Sequence, residues 1–262
     1  MTMTARPLPD IKDTVREPAN MSAGDLDYLE SVGAVWEASE LDTVQKLECF
    51  TRYVSRQSLT KFMARQEIFA KQLDVHGSIV EIGVHRGTSL MSWAHLSSIL
   101  EPVNYLRRII GFDTFEGFPA IAAQDAAGTS FHLTEGGFRV ESGAERELND
   151  AIALYDANRL MNHLPKIELV RGDASETIPA YLEANPHLVV SLLHLDADLY
   201  TPTKAALEAF LPRMPKGAIV AFDELNMDLF PGETLAVMET MGIDRINLRR
   251  FPYATSLSYT VL

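Results

Sequence analysis

Apolar positions recur at helical spacing over the first part of the chain. Leu26, Leu29, Val32, Val35 and Trp36 mark a helix between Asp25 and Ala38, and Leu41–Val54 and Leu59–Leu73 read as helices too. At His76-Gly77-Ser78 the period changes. Ile79–Val84 is a short β-branched run closed by glycine, as expected of a buried parallel strand. Helical spacing returns over Ser89–Leu100, and Arg108–Asp113 is the next strand. A helix over Glu145–Leu164, a strand over Ile167–Arg171, a short helix over Thr177–Ala184 and a strand over Leu188–Leu195 follow. Thr201-Pro202 reads as the start of a helix reaching Leu211, with Thr201 as N-cap and Pro202 at the first helical position. A strand over Ala218–Phe222, a helix over Glu233–Met241 and two strands over Ile246–Phe251 and Ser256–Leu262 complete the chain.

Strands alternating with helices predict an α/β fold, a doubly wound parallel sheet with helices on both faces. The four residues Pro252–Thr255 are too few for a parallel crossover, so the last two strands are expected to be antiparallel neighbours. Three segments follow: a flexible arm over residues 1–20, a helical cap or lid over 21–75, and the sheet domain over 76–262. Ala120–Ala144, with Gly128, Gly136, Gly137 and Gly143, is the one long irregular stretch, a length typical of an active-site lid or a disordered loop.

Composition narrows the function. The 262 residues are 47% hydrophobic and 23% charged, ordinary for a globular protein, and carry a net charge of −13. An acidic chain without a basic stripe argues against nucleic acid and against anionic lipid. A single cysteine, Cys49, excludes an intramolecular disulfide and a cysteine-rich zinc site. The N-terminus lacks an apolar signal region, and the longest apolar run, Leu188–Leu195, is too short to span a bilayer, so a cytoplasmic location is expected.

In open parallel sheets ligands bind beyond the carboxyl ends of the strands, and here every predicted strand end carries an acid. The first strand runs into Glu81-Ile82-Gly83-Val84-His85-Arg86-Gly87. Glycine there allows close backbone approach, and Thr88 and Ser89, opening the next helix, would present free N–H groups to a carboxylate. The loop matches neither the dinucleotide fingerprint nor a P-loop, and a plain strand-to-helix turn is the alternative. Asp113 stands where a carboxylate can hold a ribose, or is a solvated strand-end acid. Asp173 stands where an adenine amino group would lie, or forms an Asx turn ahead of its helix. Asp196 and Asp223-Glu224 end consecutive strands, so three carboxylates converge, and a hard divalent cation such as Mg²⁺ would relieve their repulsion. The alternative has Glu224 or Asp198 in solvent and Asp223 capping a loop. His194, within an apolar run, reads as a core histidine or one supporting the site from behind, while His85 and His132 are candidates to touch substrate.

The glycine loop, the string Asp113-Thr114-Phe115-Glu116-Gly117-Phe118-Pro119, the string Leu195-Asp196-Ala197-Asp198-Leu199-Tyr200 and Phe222-Asp223-Glu224 resemble the macrocin O-methyltransferase family over about Leu59–Leu262. These are class I S-adenosylmethionine (SAM) enzymes that methylate sugar hydroxyls in antibiotic biosynthesis. The resemblance implies the Rossmann-like class I sheet with its reversed last strand. It implies Glu81 and Gly83 along the methionine part of SAM, Asp113 at the ribose, Asp173 and Ala174 flanking the adenine, and Asp196, Asp223 and Glu224 on Mg²⁺. The family's usual metal pair is Asp-Asp, where this chain has Asp223-Glu224, and many members carry an aromatic residue where this chain has His85-Arg86.

The expected chemistry is in-line transfer of the SAM methyl to a sugar oxygen, with the metal lowering the hydroxyl's pKa and Asp196 as general base; His85 or His132 is the runner-up. The expected acceptor is a deoxyhexose such as rhamnose, as a dTDP-sugar or on a glycosylated natural product, with a leaning to the 3-hydroxyl. A Mg²⁺-dependent catechol-type O-methyltransferase and a non-catalytic SAM-binding accessory protein are the alternatives. A homo-oligomer, as a dimer through the N-terminal helices, is expected from relatives.

Overall fold

The structure, a computed structural model, describes residues 22–262; the arm expected over residues 1–20 lies outside them. The chain divides into two compact units, one ending at Leu59 and the other spanning Thr60–Leu262.

In the first unit, helix α1 (Ala23–Ala38) begins in a capping box. The Asp25 N–H donates to Ser22 Oγ and the Ser22 N–H to Asp25 Oδ2. Asp42 and Gln45 form the same box ahead of α2 (Thr43–Glu48). Leu41–Val54 is not the single helix its spacing predicts: α2 ends at Cys49 and a 3₁₀ turn follows over Phe50–Arg52. No residue of α2 is buried, and Val44 and Leu47 stand in solvent. A helix this short has no packing to prolong it.

Helix α3 (Arg56–Lys71) carries the chain into the second unit. There, β1 (Ser78–Ile82), β2 (Ile109–Asp113), β3 (Ile167–Arg171), β4 (Val190–Leu195), β5 (Ile219–Phe222), β6 (Arg249–Phe251) and β7 (Ala254–Val261) form one sheet in the order β3-β2-β1-β4-β5-β7-β6. The first five are parallel, and β7 runs antiparallel to both β5 and β6. This is the doubly wound sheet with a reversed last strand that the pattern predicts. The turn between β6 and β7 is shorter than expected, being Pro252-Tyr253 alone.

Strand residues alternate between two cores, as the period of two requires. Ile79, Ile109, Leu192 and Ile219 face one way, against Ala64, Ile68 and Phe69 of α3 and Leu90 and Trp93 of α4 (Thr88–Leu100). Val80, Ile110, Leu193 and Val220 face the other, against Ile178 of α6 (Ala174–Ala184), Phe210 of α7 (Tyr200–Phe210) and Val237 of α8 (Pro231–Thr240). Through this buried face α3 belongs to the sheet unit from Thr60 onward.

Three further helix ends differ from the spacing. Helix α5 (Ala144–Ala157) stops short of Leu164, because Met161 takes a positive φ of 56° and the Arg159 guanidinium satisfies the carbonyls of Leu160 and Met161. Helix α6 starts three residues early, capped by Asp173. Helix α7 starts at Tyr200, ahead of the expected Thr201 cap, because its first N–H is taken by Asp125 Oδ1 at 2.9 Å. No described helix is long and apolar enough to cross a membrane.

Candidate active site

The strand order reverses between β1 and β4, the switch point where such sheets open a crevice. The backbone there is as tight as the glycine loop foretold. Gly83 has φ +89°, and a Cβ on it would lie 1.9 Å from the Asp196 carbonyl oxygen. Gly87, at φ +81°, is the N-cap position of α4, and a Cβ there would meet Leu148 Cδ1 at 2.4 Å. Between the two glycines, the Asp113 carboxylate holds the loop. Its Oδ2 accepts the N–H groups of Val84 and His85, both at 2.7 Å, and its Oδ1 accepts that of Phe115 at 2.6 Å. His85 and Phe115 pay for this with positive φ values of 51° and 55°.

Glu81 lies inside the sheet, behind the loop. It is fully buried beside its register partner His194 on β4. Its carboxylate accepts from Ser89 Oγ at 2.8 Å and Trp93 Nε1 at 2.8 Å, and meets His194 Nδ1 at 3.0 Å. Through these partners Glu81 ties β1, β4 and α4 together, with Oε1 accepting only the Ser89 hydroxyl. Ser89 is likewise engaged, whereas Thr88 is exposed. His194 is the core histidine its apolar run predicted. Asp173 also serves the fold, since its Oδ1 caps α6 through the Ser175 N–H and hydroxyl at 2.8 and 2.7 Å; Ala174 is buried behind it.

Beside Gly83, Asp196, Asp223 and Glu224 each offer a carboxylate oxygen within 4.8 Å of the others. The parallel pairing of β4 with β5 brings them together. Burial and the charge of Asp223 push the Asp196 carboxyl well above the ordinary range. Burial and the charges of Asp198 and Asp223 do the same to Glu224. Burial also drives Asp223 upward, but the cations of Lys61 and Arg65 outweigh it and hold that group low. Lys61 Nζ lies 3.0 Å from Asp223 Oδ2. Glu233 of α8, wholly buried, accepts the Glu224 N–H at 3.2 Å. Glu224 Oε2 and Glu233 Oε2 are buried without a hydrogen-bond partner. Converging carboxylates, surplus negative charge and an orphaned oxygen are what a hard divalent cation satisfies, so the residues present fit Mg²⁺.

The stretch Ala120–Ala144 is ordered around Asp125, which is 1% exposed. Its Oδ2 accepts the Ala122 N–H at 3.0 Å, while Oδ1 caps α7 directly after the Asp196 loop. Phe118, Leu199 and Phe230 form a small core beneath it, with Leu133 and Phe138 packed on. Phe138 also joins the two candidate histidines: its ring stacks on His132 at 4.0 Å and meets His85 edge-on at 6.2 Å. Burial, helped by Arg86, lowers the pKa of His85, keeping the ring neutral near neutral pH.

Lys61, Arg65, Glu233 and Asp125 carry no signal in the strand-end pattern. Lys61 and Arg65 are four residues apart, two cations on one face of α3, and that spacing is the only hint of them.

Comparison with known proteins gives the family and the fold. The macrocin-O-methyltransferase family model matches residues 50–238. A tetracenomycin-C rhamnosyl 4'-O-methyltransferase of Streptomyces olivaceus is 28% identical over 158 residues, covering 59% of this chain and 55% of that protein. The chain thus spans little more than half of that relative's length. The crystal structure of the calicheamicin methyltransferase CalS11 is 34% identical with a TM-score of 0.89, covering 97% of this chain and 99% of that one. An apo structure of CalS11, described as a TDP-rhamnose 3'-O-methyltransferase, matches at 31% identity and a TM-score of 0.79, with the same coverage. The O-methyltransferase NovP shares the fold at 19% identity and a TM-score of 0.60, over 77% of this chain and 78% of its own.

Proposed function

The chain belongs to the macrocin-O-methyltransferase family of SAM-dependent O-methyltransferases, and from that premise we propose that it methylates a hydroxyl of a deoxyhexose in antibiotic biosynthesis, with Mg²⁺ as metal. The observation that carries the reading is the set of three carboxylates within 4.8 Å of one another, beside the tight glycine loop at the switch point. A rhamnose-type acceptor, as dTDP-sugar and with the 3-hydroxyl as target, is supported by CalS11, a TDP-rhamnose 3'-O-methyltransferase. The Streptomyces relative is instead named for a 4'-hydroxyl of a rhamnosyl group, which keeps the sugar but not the position in common.

SAM would lie with its methionine end against the Gly83–Gly87 loop, where the N-terminus of α4 offers N–H groups to the carboxylate. Each oxygen of Asp113 has two lone pairs. Oδ1 accepts one N–H, so it retains capacity for a ribose hydroxyl. The adenine would sit near Asp173 and Ala174, with Asp173 using the oxygen that Ser175 does not take.

The sugar oxygen attacks the SAM methyl carbon, the carbon–sulfur bond breaks, and S-adenosylhomocysteine leaves with the electron pair on sulfur. The hydroxyl proton must go to a base. Asp196 is the residue we assign, because as a ligand of the metal it would also touch the coordinated hydroxyl. His85, held neutral, is the second candidate, and His132 is joined to it through Phe138. Asp196, Asp223 and Glu224 would hold Mg²⁺, which supplies Lewis-acid polarisation of the acceptor hydroxyl and a fixed point of attachment. The ordered stretch around Asp125 would keep water from the reacting atoms.

Stripping divalent ions with EDTA is expected to stop turnover, and Mg²⁺ to restore it. Full activity without divalent ions contradicts the metal, and methylation of a diphenol but of no deoxysugar contradicts the acceptor.

A further inference from the structure

Lys61 brings a positive charge into the acid cluster from outside the strand ends. Its ammonium donates to Asp223 Oδ2 at 3.0 Å, across 162 positions of sequence. Asp196, Asp223 and Glu224 bring carboxylate oxygens within 4.8 Å of one another, Glu233 accepts the Glu224 N–H beside them, and Asp223, Glu224 and Glu233 are almost wholly shielded from solvent. Two cations answer that charge, Lys61 and, one helical turn on, Arg65. They differ in mobility. Arg65 is 4% exposed, whereas the Lys61 side chain is 44% exposed and ends in a compact charge on a flexible stem.

We infer that the Lys61 ammonium is the resident cation of this cluster, and that a divalent ion enters the site by displacing it from Asp223. The inference rests on the metal reading above and concerns the residue with which the metal must compete. An ammonium within hydrogen-bond distance of a ligand carboxylate occupies one of its lone pairs and repels a doubly charged ion. The same carboxylate cannot serve both at full strength. In the metal-free protein Lys61 keeps the acids from flying apart, so the site stays assembled. When the ion arrives, the exposed stem lets the ammonium swing into water at little cost in packing, while Arg65 stays in place. Lys61 is therefore a competitor of the metal and not one of its ligands. Its role is to set how tightly the site binds a cation.

The test is calorimetric titration of the full chain with MgCl₂ in the absence of SAM, together with melting of the metal-free protein, for wild type, Lys61→Met, Lys61→Gln and Lys61→Arg. Removing the charge is expected to tighten Mg²⁺ binding by about tenfold, since the pair is partly solvent-screened. It is also expected to lower the metal-free melting temperature and to enlarge the rise that Mg²⁺ produces. Lys61→Gln, which keeps a donor without charge, is expected to follow Lys61→Met, and Lys61→Arg to bind like wild type or more weakly. If wild type binds Mg²⁺ and both neutral variants bind it no more tightly, Lys61 is not a competitor and the inference fails while the metal reading stands. If neither wild type nor the variants bind Mg²⁺, the metal reading fails and the inference with it.

Discussion

Gly83 and Asp196 touch through their backbones: a Cβ on Gly83 would lie 1.9 Å from the Asp196 carbonyl oxygen, and the Asp196 N–H donates to the carbonyl of neighbouring Ile82 at 2.9 Å. The turn that would receive SAM and the strand end that would bind metal are therefore one rigid piece. Any side chain at residue 83 must push Asp196 away. Gly83→Ala is expected to cost about 2–4 kcal/mol of stability, from the clash and the positive φ together. It should also weaken SAM and Mg²⁺ binding at once. Denaturant unfolding and calorimetry measure both, and a variant that loses neither contradicts the contact. Gly33 is the contrasting case, since a Cβ there meets open space inside α1.

Asp113 fixes the loop by accepting three backbone N–H groups, two of them from Val84 and His85. Asp113→Ala frees the loop and removes the ribose acceptor. SAM affinity by calorimetry is expected to fall at least tenfold, about what losing one or two charge-assisted bonds implies. Unchanged affinity contradicts both roles.

Asp125 is the pin of the long connection, capping α7 with one oxygen and holding Ala122 with the other. Asp125→Ala is expected to cost about 1–3 kcal/mol and to make residues 120–143 the first site of limited proteolysis. An unaltered digestion pattern would show that the stretch holds itself together without the carboxylate.

Lys166 gives the pH dependence a definite sign. Burial pushes its pKa down from 10.5 to about 8, and its ammonium donates to the Asn104 carbonyl at 2.6 Å. Above the folded pKa the unfolded chain binds this proton more tightly than the native one, so the contribution to stability rises between about pH 8 and 10.5 and is absent below. In urea unfolding, wild type is expected to gain on Lys166→Met as the pH climbs through that window. A constant difference across it would show that the burial does not perturb the amine.

The sheet was legible because its central strands are short, mainly apolar runs: β1, β2 and β5 are found within two residues, and even the half-buried edge strand Ile167–Arg171 is found end for end. Helix ends were not, because they depend on partners far along the chain. Asp125 caps α7 from 75 residues away. The acid triad was readable because it needs only strand ends and adjacency, which topology supplies. Glu81 shows the limit of that logic. It has the right position for a ligand contact, yet its orientation is decided by Trp93 and His194. Lys61 lies on a helix whose periodicity says only which side is buried, not that its first turns reach a strand end.

Sugar methylation is tested most directly by incubating the full chain with SAM, Mg²⁺ and a panel of dTDP-deoxyhexoses, read by mass spectrometry, with Asp196→Ala alongside. The expected result is a sugar heavier by one methylene with wild type, none with the variant, and S-adenosylhomocysteine formed in step. A panel in which no sugar gains mass while a diphenol does, or an Asp196→Ala protein that methylates as well as wild type, would contradict it.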